Sequence, residues 1–205
     1  ADGTGWCIDP TRRTEGACKV GTGTLHSFNE SDGGEFFAVL NLDYANGDAS
    51  SKGSPPPAVS AWRRGIATFG GPSISGFVVV DEFNTTETFE TVAWSMHTHA
   101  AVTVGSGDGA ILTQDRSSIS VRLITPPTLA GNGTFGITPI SFVPPLLSDT
   151  GVSRLGLVYS RMAGVAGPGA PSQQRMVVAI TESQSTQVPS LCPLAQWSEL
   201  GPFCT

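Results

Sequence analysis

The chain has 205 residues and a formal net charge of −6, with 39% hydrophobic but only 14% charged residues. That balance argues against a nucleic-acid partner, which needs clustered cations: only 11 Lys and Arg occur, adjacent only at Arg12-Arg13 and Arg63-Arg64. No run of 18 apolar residues appears, so no stretch reads as a membrane-spanning helix.

A charged share well below the roughly 25% usual for soluble proteins leaves polarity to Ser, Thr, Asn and Gln, or to attached sugar. The 25 Gly and 15 Pro punctuate the chain with turns. No window sustains a 3.6-residue period over three turns, so the chain reads as nearly all β.

The sequence opens ADGTGWC, as a processed mature product or a cut fragment would. Residues 1–22 are Gly/Thr-rich and carry Cys7 and Cys18. A strand region starts near Thr24. Alternation over 36–44 puts Phe36, Ala38, Leu40, Leu42 and Tyr44 on one face, and Phe37, Val39, Asn41 and Asp43 on the other. The loop 46–57, NGDASSKGSPPP, favours polyproline II and excludes sheet pairing.

Strands are predicted over 61–69 and 77–83. Residues 77–81 are apolar on both faces, which predicts a central strand covered twice. Further strands fall at 92–99, 110–114, 118–125, 134–138, 140–143, 153–161 and 175–181. The tail 184–205 is polar and carries Cys192 and Cys204. No internal repeat or linker divides the chain. The expected architecture is an antiparallel β-sandwich of stacked sheets, a single domain over 1–205 with disulfide-stapled termini.

Four cysteines allow three pairings. The two local ones, Cys7–Cys18 and Cys192–Cys204, each close a short loop worth about 3 kcal/mol in the chain-entropy model. Zinc is the rival, but neither pair has the C-x2–4-C spacing of a structural site. An even cysteine count points to an oxidising, extracellular setting.

Three Asn-x-Ser/Thr sequons, at Asn29, Asn84 and Asn132, lie in turn-like sequence and are candidate glycosylation sites. The stretch Ser54-Pro55-Pro56-Pro57 resembles Ser-Pro-rich segments of plant and algal wall glycoproteins, whose hydroxylated prolines carry sugar; a plain rigid loop is the alternative. His97-Thr98-His99 is the metal candidate: positions i and i+2 of a strand share a face, and Asp81 or Glu82 could complete a divalent-metal site. A hydrogen-bonded surface pair is the simpler reading. No other cofactor is implied. Whichever of Arg63 and Arg64 is buried needs a carboxylate from Asp43, Asp81 or Glu82. Trp94 is assigned to the core, and Trp6 and Trp197 to packing over disulfides. No nucleophile motif or phosphate-binding loop is present.

The order FFAVLNLDYA (36–45), a Pro-rich loop, AWRRGIATF (61–69), FVVVDEF (77–83) and VAWSMHTH (92–99) resembles the C-terminal β-sandwich region of heparinase II/III-like polysaccharide lyases. The resemblance spans about residues 23–101. In that family an α/α toroid precedes the sandwich, the sugar binds between them, and catalytic Tyr and His come largely from the toroid. The resemblance makes His97 the structural His of the Trp-x-x-His strand. These 205 residues show no helical pattern of that kind. His26, Tyr44 and Arg64 could be cast in lyase roles, but nothing in the sequence brings them together.

The expected function is therefore a non-catalytic, secreted glycoprotein module, a structural subunit of an extracellular coat, wall or filament. Its partners would be glycans, covalent or bound, and further copies paired through edge strands. The alternatives are an accessory C-terminal domain of a heparinase II/III-like lyase and a stand-alone carbohydrate-binding module.

Overall fold

The computed structural model describes residues 22–30, 35–43, 59–70, 75–85, 91–105, 109–125, 134–139, 153–160, 172–184 and 186–204. Eleven strands occupy these segments: β1 (Thr22–Glu30), β2 (Phe36–Asp43), β3 (Val59–Phe69), β4 (Gly76–Thr85), β5 (Thr91–Thr98), β6 (Ala101–Val104), β7 (Gly109–Gln114), β8 (Ser117–Thr125), β9 (Thr134–Pro139), β10 (Ser153–Ser160) and β11 (Ser172–Thr181). A 3-10 turn, Leu194–Gln196, leads into the short helix α1 (Trp197–Leu200).

The strands form two antiparallel sheets. One has eight strands in the order β1-β2-β3-β4-β11-β8-β7-β6, and the other three in the order β5-β10-β9. β11 comes last in the chain yet sits in the middle of the large sheet, bonded to β4 on one side and β8 on the other. β7 and β8 join through Asp115-Arg116, where Asp115 takes a left-handed φ of 54°. A two-residue hairpin needs that backbone, and Asp tolerates it better than most residues.

The run FVVVDEF explains the centre of the large sheet. β4 is flanked by β3 and β11, and its valines divide between two cores. Val79 faces the three-stranded sheet and packs in one cluster with Phe83, Leu123, Met176, Val178, Trp94 and Leu155. Val78 and Val80 face the other way and pack with Phe37, Val39, Ala67, Val177, Leu194 and Trp197. The expected double coverage is present, and among the described residues the second cover is the C-terminal tail.

The tail is held by directional bonds as well as by burial. Cys192 and Cys204 form a disulfide. The Cys192 carbonyl accepts from Arg175 Nη2 at 2.8 Å and from Trp197 Nε1 at 3.0 Å. Leu194 N donates to Glu82 Oε1 at 3.1 Å. Gly65 lies under this cap: a Cβ there would run into Leu194 and come within 2.8 Å of the Trp197 ring.

Alternation in β2 follows the expected parity with an unexpected sidedness. Phe37 and Val39 are the buried pair, while Phe36, Ala38, Leu40 and Leu42 are only half-buried. The more apolar face of β2 is thus the less covered one. The reason is lateral extent: the residues that pack against Trp94 and Leu155 come mainly from β4, β7, β8 and β11, leaving β1 and β2 outside that cluster. The expected strand at 140–143 and the Cys7–Cys18 staple lie outside the described residues.

Candidate functional site

An ion pair stands at the margin of the half-covered face. β3 and β4 pair so that Trp62 lies opposite Phe83, Arg64 opposite Asp81 and Ile66 opposite Val79, all on the side facing the small sheet. Trp62 stacks on Phe83 with centroids 4.8 Å apart. Asp81 is only 1% exposed. Its carboxylate accepts from Arg64 Nε at 2.8 Å, from Arg64 Nη2 at 3.0 Å and from Trp62 Nε1 at 2.8 Å. A buried carboxylate persists only when paired and hydrogen-bonded, and these three donors meet that need. Of the carboxylates considered for the Arg63-Arg64 pair, the structure therefore selects Asp81, and Arg64 is its partner.

The Arg64 side chain is 30% exposed, so the pair lies between core and solvent. From it the sheet runs outward along two rows. Arg64 is opposite Leu40, which is opposite Leu25; Ile66 is opposite Ala38, which is opposite Phe28. An irregularity at His26 shifts the β1 register between Leu25 and Ser27, which brings Leu25 and Phe28 onto the same face. Leu25 is 63% and Phe28 57% exposed. The result is an open apolar shelf on β1 and β2 with an oriented guanidinium at its inner edge. Such a surface suits docking and recognition. The Asp81 carboxylate accepts from three donors, which fixes Arg64 in place.

The residues proposed for metal are not brought together. Asp81 belongs to the large sheet and is held by Arg64 and Trp62. His97 is exposed on the outer side of β5, while Trp94 and Met96 point into the core as expected. β5 ends at Thr98, so His99 stands past the ladder that would have aligned it with His97. Among the described residues no group of three His, Cys, Asp or Glu is placed to hold a metal ion.

Asn29 and Asn84 lie in strands, in place of the turns expected from their sequence context. Asn29 is exposed near the end of β1, the edge strand of the large sheet. Asn84 is half-buried near the end of β4, with β3 and β11 on its two sides. Asn132, Pro55, Pro56, Pro57, Cys7, Cys18 and Trp6 lie outside the described residues. Trp197 is buried beside the Cys192–Cys204 bridge, as its position suggested. Leu25 and Phe28 were not marked by the sequence reading. The signal for them is the TLHSF run, whose bulge hides a regular two-residue alternation.

No family model matches the chain, and no curated protein matches it. Among solved structures, heparinase III is similar over 80% of this chain, with 15% identity and a TM-score of 0.50. The likeness is one of fold. The chain spans 22% of the length of that heparinase III chain.

Proposed function

We propose that this chain is a non-catalytic extracellular β-sandwich that serves as the accessory module of a larger heparinase II/III-like polysaccharide lyase. The open shelf carries the reading. The small sheet and the tail cover the centre of the large sheet, while Leu25 and Phe28 remain exposed beside half-buried Phe36, Ala38 and Leu40. Exposed apolar surface of this kind marks a contact with another domain or protein. The fold likeness to part of heparinase III supports a toroid as that partner, with Arg64 at the inner edge of the contact.

The coding sequence immediately upstream of Ala1 tests this. Several hundred residues patterned as α-hairpins, of the order needed to wind a toroid, would support it. A signal peptide or stop codon directly before Ala1 would sink it.

A second reading, a coat or filament subunit, is favoured by one observation. β1 is an edge strand bearing two exposed large hydrophobic residues, and an uncovered edge is a template for a second chain. Sedimentation of the purified chain over a concentration series separates the two readings: growth beyond a dimer supports the coat, and a sharp monomer removes it.

A further inference from the structure

We infer that Asn29 carries an N-linked oligosaccharide, and that this glycan guards the β1 edge of the eight-stranded sheet. The inference rests on the secretory part of the proposed function and is independent of any toroid.

Three observations converge on β1. The first is chemical: Asn29-Glu30-Ser31 is an acceptor sequon. The second is placement. Asn29 is exposed near the end of an edge strand, so a bulky substituent there meets solvent at the margin of the sheet. Asn84 differs: it is half-buried between two strands. The third is need. Among the described residues β1, nine residues long, has no partner on its outer side; an open edge invites pairing with another chain, and proteins block such edges with charge, proline, bulges or a covering group. β1 contains no Lys, Arg or Pro, and Glu30 is its one acidic residue. β1 has one of these devices, the bulge between Leu25 and Ser27, but the ladder is regular from Ser27 to Glu30 and the bulge puts Leu25 and Phe28 on one exposed face.

The register also sets the glycan's direction. Asn29 lies opposite Phe37, whose side chain is in the tail-covered core, whereas Phe28 lies opposite Ala38 on the open shelf. A sugar on Asn29 therefore projects from the face opposite the shelf. It would block edge-to-edge pairing and leave the shelf free for a docked domain.

The step is a group transfer with no redox change. The Asn29 side-chain amide nitrogen bonds to C1 of the reducing-end sugar of a polyprenyl-diphosphate oligosaccharide. The C1–O bond to the diphosphate breaks, the lipid diphosphate leaves, and the amide nitrogen gives up one proton to the transferase base.

The test uses protein purified from its natural source. Peptide mapping before and after peptide N-glycosidase reads Asn29, and the same digest reads the Cys192–Cys204 bridge. The expected result is a glycosylated Asn29 with the bridge intact. A bare Asn29 with the bridge intact overturns the inference and leaves the secretory reading standing. A bare Asn29 with both thiols free overturns both.

The guarding role is read by sedimentation of the secreted full chain. The glycosylated protein is expected to remain monomeric. Enzymatically deglycosylated protein, Asn29→Gln and Ser31→Ala are expected to associate in a concentration-dependent way, reversed by adding Phe28→Asp. Should Asn29→Gln fail to fold, the deglycosylated wild-type chain still decides. A monomeric deglycosylated protein overturns the guarding role.

Discussion

Gly65 and Trp197 are in direct contact: a methyl group on Gly65 would stand 2.8 Å from two ring carbons of Trp197. The ring cannot retreat, because it is fully buried, meets Phe37 edge-on at 6.0 Å and donates its Nε1–H to the Cys192 carbonyl. Gly65→Ala should therefore overpack this interface and cost about 1–3 kcal/mol. The measurement is a urea melt followed by tryptophan fluorescence. Limited proteolysis should show new cleavage within 186–204. An unchanged midpoint would mean the tail is not seated on β3.

The Arg64–Asp81 pair should respond asymmetrically. Arg64→Met takes two of its three donors from a buried carboxylate and should cost about 3–5 kcal/mol. Asp81→Asn is expected to cost less, because Arg64 is 30% exposed and can turn to water. The double change Arg64→Met with Asp81→Leu should recover most of the loss of Arg64→Met alone, since an apolar pair needs no desolvated charge. Denaturant midpoints of the three variants decide the order. A double variant no more stable than Arg64→Met would refute the pairing argument.

Cys204→Ser opens a link between residues 12 apart. The chain-entropy model puts the loss at about 3 kcal/mol. The effect should be concentrated in the tail. Amide exchange should rise at Leu194 and Trp197 before it rises in β8, which belongs to the other core. Uniform exchange across both cores would show that they unfold as one unit.

Trp94 and Leu155 are the buried anchors of the small sheet on the large one. Leu155→Ala should cost about 2–5 kcal/mol, and Trp94→Ala about 3–5 kcal/mol. Both variants should bind a hydrophobic dye more strongly than the wild type, because the covered face of β4 and β11 becomes accessible. Equal dye binding would argue that the small sheet stays docked without its anchors.

Much of the framework was legible because local pattern and burial agree in the central strands. The valines of β4 are apolar on consecutive positions, and only a strand covered twice makes that stable. The Trp94/Met96 against His97 split followed from period-two alternation in β5. The sequence did not show which face of β2 is buried. Alternation orders the two faces but does not say how far the opposing layer extends. The tail was equally opaque. Its hold depends on Glu82 and Arg175, which are more than 90 residues apart in sequence and meet only through the pairing of β4 with β11. Spacing along the chain cannot reveal that the Asp81 carboxylate is bonded from across the sheet by Arg64 and Trp62. The shelf was missed because one extra residue at His26 breaks the alternation that would have revealed it.

The position of β11 has a consequence for synthesis. As the chain emerges from the ribosome, β1–β4 and β6–β8 can each assemble from neighbours in sequence, but among the described residues no strand pairing links the two groups until residues 172–181 arrive. Until then β4 and β8 both present open edges, bordered by residues such as Val78, Val80, Val121 and Leu123. Closing the sheet late, through pairings distant in sequence, is slow and exposes aggregation-prone edges. The nascent protein is thus two unfinished fragments awaiting a keystone, and its yield in any host should depend on how well those edges are shielded before β11 is made.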